Sequence, residues 1–220
     1  MKLFEKDENA VIGLCGKKGS GKSTVADLLQ KHFGFKHRFA FATPLKLMVK
    51  ALCEEANVVN PKKEHRIEIF GNKTLREIYQ LCGEEFGRRM IHPDVWVNIL
   101  NINLYESWEH FDKLQHSFLR QQQLIPGLVP TESFRAVIED VRYPNEVHYI
   151  KVGCPVVGGV VLRVDNPRVV DNEYSNHISE TNLANLIPDE VIDNDGSMEV
   201  LLEELKSMLP VEWYVEGNRK

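Results

Sequence analysis

The feature that most constrains this chain is a short apolar run that ends in a glycine-rich loop. Ala10–Cys15, AVIGLC, reads as a strand buried on both faces, as a parallel sheet requires. Gly16-Lys17-Lys18-Gly19-Ser20-Gly21-Lys22-Ser23 follows and matches G-x-x-x-x-G-K-[ST] in full. Residues 24–33 then place Val25, Leu28, Leu29 and Phe33 on one helical face, and Gly34 is a helix stop. Strand, loop and helix in that order make a nest of backbone N–H groups at a helix N-terminus, which suits a polyphosphate. Gly16, Gly19 and Gly21 let the chain curl, with Lys17, Ser20 and Thr24 completing the loop and the first helical turn. Lys22 is placed to reach the β- and γ-phosphates of ATP, and the Ser23 hydroxyl to ligate Mg²⁺. The bland alternative is a glycine-rich turn with an accidental lysine; the strand before and the amphipathic helix after argue against it. Lys17 and Lys18 either approach the phosphates or are simply solvated.

The rest of the 220-residue chain repeats the alternation of strand and helix. Residues 38–42 read as a strand and Pro44 opens a helix through about Glu55, with Leu45, Met48, Val49 and Leu52 in helical spacing. Residues 57–72 are polar and irregular. Residues 74–82 read as a helix ended near Gly83, and residues 94–105 as a helix with Trp96, Val97, Ile99 and Leu100 inward. Residues 106–133 read as an inserted helix and a surface loop. Residues 136–140 are a strand ending in acid, and Pro144 sits in the first turn of a helix over 144–151. Residues 156–164 and Glu190–Asp193 read as strands, residues 165–182 as aperiodic, and residues 198–209 as a helix stopped by Pro210. The fold class is therefore α/β, a three-layer arrangement with a mostly parallel sheet flanked by helices. Ligands in such sheets bind beyond the carboxyl ends of the strands.

Composition narrows the function classes. Hydrophobic residues at 43% and charged residues at 27% suit a soluble globular chain with one sizeable core. A net charge of -5 argues against bulk nucleic-acid binding, which leaves a basic stripe. Cys15, Cys53, Cys82 and Cys154 form no C-x-x-C pair, so no zinc knuckle or redox motif is expected, only reduced thiols. The charged N-terminus lacks a signal-peptide core, and no window reaches the roughly 18 apolar residues of a membrane span. A soluble cytoplasmic protein follows, with small-molecule partners and neither nucleic acid nor membrane; a homodimer stays open.

A phosphate-loop enzyme needs a carboxylate at the end of another strand, to hold the Mg²⁺ shell or orient the attacking group. Asp140 occupies such a position, and Arg142, two residues on, points the same way if the chain stays extended; alternatively Asp140 only caps the helix at Pro144. Gly83-Glu84-Glu85-Phe86-Gly87-Arg88-Arg89 pairs arginines with glycines, which suits a phosphate monoester gripped by a guanidinium fork, or else a surface turn with salt bridges. Trp96 is either core or the flank of a base. Residues 163–180, with Arg168 and His177, are the candidate lid, or an ordinary loop. Asp193-Asn194-Asp195-Gly196-Ser197 either borders the adenine or is a turn with a helix cap.

Several islands then occur in a fixed order: the phosphate loop, Thr43-Pro44-Leu45-Lys46, Gly83 to Arg88 with Pro93-Asp94-Val95-Trp96-Val97, Asp140-Val141-Arg142-Tyr143-Pro144-Asn145-Glu146, His177-Ile178-Ser179-Glu180, and Asp193 to Ser197. Together they resemble the bacteriophage-type deoxynucleoside monophosphate kinases, of the P-loop nucleoside monophosphate kinase superfamily. The resemblance implies Mg²⁺-dependent transfer of the γ-phosphoryl group of ATP to a deoxynucleoside 5′-monophosphate. It implies a single kinase domain, with a core over about 10–56, 134–164 and 183–209, a monophosphate-binding region over about 43–133 and a lid over about 165–182. By that likeness Lys46, Arg88, Trp96, Asp140 and Arg142 face the monophosphate, and Asp193, Asn194 and Gly196 border the adenine. Ser23 stands where phage-type enzymes often carry aspartate. Rival readings are a kinase for another phosphorylated acceptor, such as dephospho-coenzyme A or phosphomevalonate, an ATPase or switch without a small-molecule acceptor, and a nucleotide-binding module without turnover.

Overall fold

A computed structural model describes residues 2–6, 8–59, 61–122, 133–156, 158–169 and 182–216. Two compact units emerge, residues 1–40 with 101–220, and residues 41–100.

The first unit is built on a five-stranded sheet. Its strands are β1 (Ala10–Cys15), β2 (His37–Phe39), β5 (Arg135–Ile138), β6 (Val160–Asp165) and β7 (Glu190–Asp193), and the order across the sheet is β2-β5-β1-β6-β7. Every pairing is parallel. β1 is therefore central and buried throughout, which its unbroken apolar run demands. The chain winds first to one side of β1 and then to the other, so a switch point opens beside its carboxyl end, where open α/β sheets place ligands.

Helix α1 (Lys22–Phe33) buries Val25, Leu28, Leu29 and Phe33, the expected face, and ends at Gly34 in the left-handed conformation. It shares a core with Leu201 and Leu205 of the helix over Met198–Met208, with Leu209 just past its end, and with Phe35 and Trp213. Each such side chain contributes about 1.5–3 kcal/mol by leaving water. The opposite face of the sheet carries Val11, Val141, Ile150 and Val161, all buried. The architecture is the expected α/β sheet flanked by helices, which suits a P-loop kinase fold.

Several boundaries move. The strand expected over residues 38–42 is β2, His37–Phe39, and the strand expected over 136–140 stops at Ile138, leaving Glu139 and Asp140 beyond its end. The strand expected from residue 156 starts at Val160, just after Gly159, whose backbone lies close to Val11 and Ile150. The helix after Pro144 is α5 (Pro144–His148), which widens into a π-type stretch over Tyr149–Gly153. The last helix, α6, runs Met198–Met208.

The second unit begins with α2 (Thr43–Glu55), which has proline in its first turn as expected. The stretch expected to be irregular, residues 57–72, contains β3 (Arg66–Ile67), which pairs antiparallel with β4 (Lys73–Thr74) just beyond it. Helix α3 (Leu75–Gln80) opens with a capping box, Thr74 with Glu77. Gly83 does not end it; the chain continues in a π-type helix over Leu81–Ile91. Helix α4 (Val95–Gln122) runs past the expected 94–105, so the inserted helix expected within 106–133 is its direct continuation over residues 106–122.

Trp96 explains why the π-type stretch needs Gly87. A Cβ on Gly87 would lie 2.8 Å from Trp96 Cε2 and 3.0 Å from its Nε1. Gly87→Ala should destabilise the protein by about 1–3 kcal/mol through overpacking, read as a lower urea midpoint with an unchanged m-value.

His37 predicts a pH effect on stability. Its ring stacks on Phe134 at 4.5 Å, and burial, helped by Lys36, holds its pKa below the ordinary histidine value. The unfolded chain therefore binds the proton more tightly than the folded one. Above about pH 6.5 both forms are neutral and the effect vanishes; acidification below that favours unfolding. Wild type should lose more thermal stability between pH 7.5 and 5.5 than His37→Phe, which keeps the stack; equal losses would refute this.

Candidate active site

The phosphate loop joins β1 to α1 at the carboxyl edge of the sheet. Gly16 has φ 138°, Gly19 87° and Gly21 102°, values that a side chain resists. Gly16 also lies against the Val164 carbonyl of β6, where a Cβ would collide. Gly21 is the N-cap of α1 and supplies no side chain to cap it. The first-turn N–H groups of Lys22, Ser23 and Thr24 have no acceptor within the helix, a geometry that suits an anion. Lys22 Nζ donates to the Gly16 carbonyl at 2.7 Å and the Lys17 carbonyl at 2.7 Å, bridging the loop's mouth. Ser20 is 1% exposed, and its hydroxyl meets no hydrogen-bond partner among the described residues. Cys15 lies directly below, and burial pushes its thiol up to about 11, so it acts as a small apolar side chain.

The acid beside Ser23 is Glu139. Ser23 Oγ donates to Glu139 Oε2 over a long 3.4 Å, and Arg38 of β2 holds the same oxygen at 2.5 Å. Sequence reasoning missed Glu139 and chose its neighbour Asp140. The signal was present in the pair of acids, Glu139-Asp140, but their directions depend on sheet pairing. Glu139 N–H donates to Phe39 O on β2, whereas Val141 N–H donates to Leu14 O on β1. The segment thus changes partners between these residues.

Asp140 and Arg142 are both partly exposed and flank the buried Val141. Arg142 is fixed by Glu146, which is 1% exposed. Glu146 Oε2 accepts the Arg142 N–H at 2.7 Å and the Tyr143 N–H at 3.1 Å. Two backbone donors on one carboxylate oxygen explain how a buried acid is tolerated here.

The loop after β7 meets the phosphate loop. Asn194 Nδ2 donates to the Ser20 carbonyl at 2.8 Å, and the Asn194 N–H donates to the Asp165 carbonyl at 2.7 Å. Asn194 therefore clamps the phosphate loop to the ends of β6 and β7, a role that spacing did not reveal. Asp193 ends β7, and Gly196 lies near Val200 at the start of α6. Arg168 donates to the Asp195 carbonyl at 2.6 Å. The other lid candidate, His177, lies outside the described residues, as does most of the expected lid.

Lys46, Arg88 and Trp96 belong to the second unit. Lys46 is exposed in the first turns of α2. The Arg88 side chain is only 10% exposed, with Nε 3.9 Å from Glu84 and Nη1 donating to the Pro93 carbonyl at 3.2 Å. Arg89 is more open and pairs with Glu85 at 3.0 Å. Trp96 is 7% exposed and donates from Nε1 to the Gly83 carbonyl at 2.9 Å. Its indole supports the π-type stretch that carries Arg88.

The donor chemistry fits magnesium. A serine hydroxyl and a carboxylate are hard oxygen donors, and Mg²⁺ takes one or two such groups while keeping several waters. Among the described residues no cluster of three or more His, Cys, Asp or Glu forms an all-protein metal cage. No helix among them is long and apolar enough to cross a membrane.

No family model matches the chain. It is similar to a Thermus thermophilus protein of known crystal structure at 19% identity, covering 91% of this chain and 96% of that one, with a TM-score of 0.39. It is 28% identical over 205 residues to a protein of Acanthamoeba polyphaga mimivirus that bears the provisional name deoxynucleotide monophosphate kinase. That match covers 90% of this chain and 94% of the viral protein. Over nearly its whole length the chain is thus similar in sequence to a protein provisionally named as a deoxynucleotide monophosphate kinase.

Proposed function

We propose that this protein transfers the γ-phosphoryl group of ATP to a deoxynucleoside 5′-monophosphate, giving the diphosphate and ADP. The observation that carries the reading is the glycine-shaped loop at a helix N-terminus with Ser23 set against Glu139. The likeness to the viral protein supports a kinase and directs attention to deoxynucleotides as acceptors.

The backbone of Gly16, Lys17, Gly19, Ser20, Gly21, Lys22, Ser23 and Thr24 holds the triphosphate. Lys22 exchanges its two carbonyl acceptors for phosphate oxygens, a move that costs little because both states satisfy the ammonium. Ser23 and Glu139 would hold a magnesium ion and its water shell, and the ion would supply positive charge that offsets the charge of the transferring phosphates. Arg142 and Arg88, with Lys46, bind the acceptor phosphate, and Asp140 orients it. Trp96 acts through the backbone that carries Arg88. An acceptor oxygen forms a bond to the γ-phosphorus as the bond to the β,γ-bridging oxygen breaks. The acceptor attacks as a phosphate anion, so no general base is needed. Asn194 keeps the loop curled, and with Asp193 and Gly196 it borders the adenine. The four cysteines are free thiols, which suits a reducing compartment, and we place the enzyme in the cytoplasm.

The test is product analysis with each deoxynucleoside monophosphate, ATP and Mg²⁺. A diphosphate product that requires the acceptor supports the reading. Hydrolysis of ATP at the same rate without any acceptor would overturn it.

A further inference from the structure

One face of α1 is polar at helical spacing: Ser23, Asp27 and Gln30. All three lie within one bonded cluster. Arg38 Nη1 donates to Asp27 Oδ1 at 2.6 Å and to Gln30 Oε1 at 3.3 Å, while its Nη2 donates to Glu139 Oε2 at 2.5 Å. Glu139 Oε2 in turn receives Ser23 Oγ. Arg38 is on β2, paired with Val137 of β5, so the sheet itself sets the height of the guanidinium against Glu139.

An ordinary exposed ion pair contributes about 0–1 kcal/mol and is free to rearrange. This one differs in three respects. The Arg38 side chain is only 28% exposed. Its Nε is buried without a hydrogen-bond partner among the described residues, so the geometry is kept although one donor goes unused. The two corners that are used reach different elements, the phosphate-loop helix and the end of β5. A planar fork makes that bridge; a lysine ammonium is a point charge on a flexible stem and does not. The Glu139 hydrogen bond, more than the Asp27 one, pushes the guanidinium pKa up.

We propose that Arg38 is a positioning residue: it ties Glu139 to α1 through Asp27 and so presents the Glu139 carboxylate to the Ser23 hydroxyl. This rests on the kinase reading above and deepens it. In this role Arg38 acts through the Glu139 carboxylate that it holds. Its consequence is that the magnesium-dependent part of nucleotide binding requires Arg38, while the loop's own grip on phosphates does not.

The test uses the full chain and a fluorescent ATP analogue, titrated with Mg²⁺ and separately with EDTA. Wild type should bind more tightly with Mg²⁺. Arg38→Met should keep its EDTA affinity within about twofold and lose about tenfold of the Mg²⁺ gain, as expected for a charged hydrogen bond removed. Asp27→Asn, a mild surface change, should keep its fold and lose a smaller, measurable part of that gain. Arg38→Lys should restore less than half of what Arg38→Met loses. An unchanged Mg²⁺ gain in Arg38→Met overturns the proposal, as does a parallel fall of both affinities with melting temperature. If Arg38→Met does not fold, an unchanged gain in Asp27→Asn overturns it. Wild type that binds no nucleotide in either buffer overturns the kinase reading, and this proposal with it.

Discussion

Lys22→Ala should lower phosphoryl transfer by about 10³-fold or more and leave the fold intact. Removing one preorganised charge donor from a developing phosphate charge costs about 10²–10³, and Lys22 is the loop's central cation. In the structure its ammonium is held by the Gly16 and Lys17 carbonyls, both backbone groups of the loop. Loss of these two bonds exposes carbonyls that water can reach, so the melting temperature should fall by no more than about 2–4 °C, the shift for a 1 kcal/mol change in a chain of this size. Turnover by coupled assay and thermal unfolding on the same preparation check both halves. Retained transfer would remove Lys22 from the mechanism; collapse of the fold would mean that the loop's curvature depends on the lysine rather than on its glycines.

Glu139→Gln should lower transfer by about 10²-fold, more than Asp140→Asn. The substitution is isosteric and keeps one oxygen toward Ser23, but it removes the charge that suits a magnesium shell. It also leaves Arg38 with Asp27 as its remaining acid partner among those seen here. The defect should be partly relieved by raising Mg²⁺, since weaker ion binding is offset by mass action. Assays of both variants across a magnesium series decide between the two acids. A larger loss in Asp140→Asn would return the metal role to Asp140 and leave Glu139 as a structural partner of Arg38.

These two residues illustrate different kinds of legibility. Lys22 was readable because its setting is local: an apolar strand, glycines at fixed offsets and an amphipathic helix lie within about 24 residues, from Ala10 to Phe33. Helix α6 and strand β7 were readable for the same reason, since their apolar spacing is contained in one segment. Trp96 was ambiguous because a tryptophan in a helical pattern suits either a core or a base; the Gly83 carbonyl and Gly87 surface settle what its indole touches. The π-type stretch over Leu81–Ile91 was invisible, because a glycine at residue 83 reads locally as a helix stop.

The sequence by itself determined that a glycine-shaped loop joins a buried strand to a helix and that a parallel sheet surrounds that strand. Backbone conformation follows from nearby residues, and φ values of 87–138° at the three loop glycines are what their lack of a Cβ permits. Only the tertiary structure decided which of two adjacent acids faces Ser23, that Asn194 clamps the Ser20 carbonyl, and that Arg38 joins α1 to the end of β5. Each of these joins segments more than 100 residues apart or depends on strand register, and a shift of one residue in that register turns every side chain to the other face. Local pattern thus specified the cradle, while long-range pairing selected the side chains that complete it.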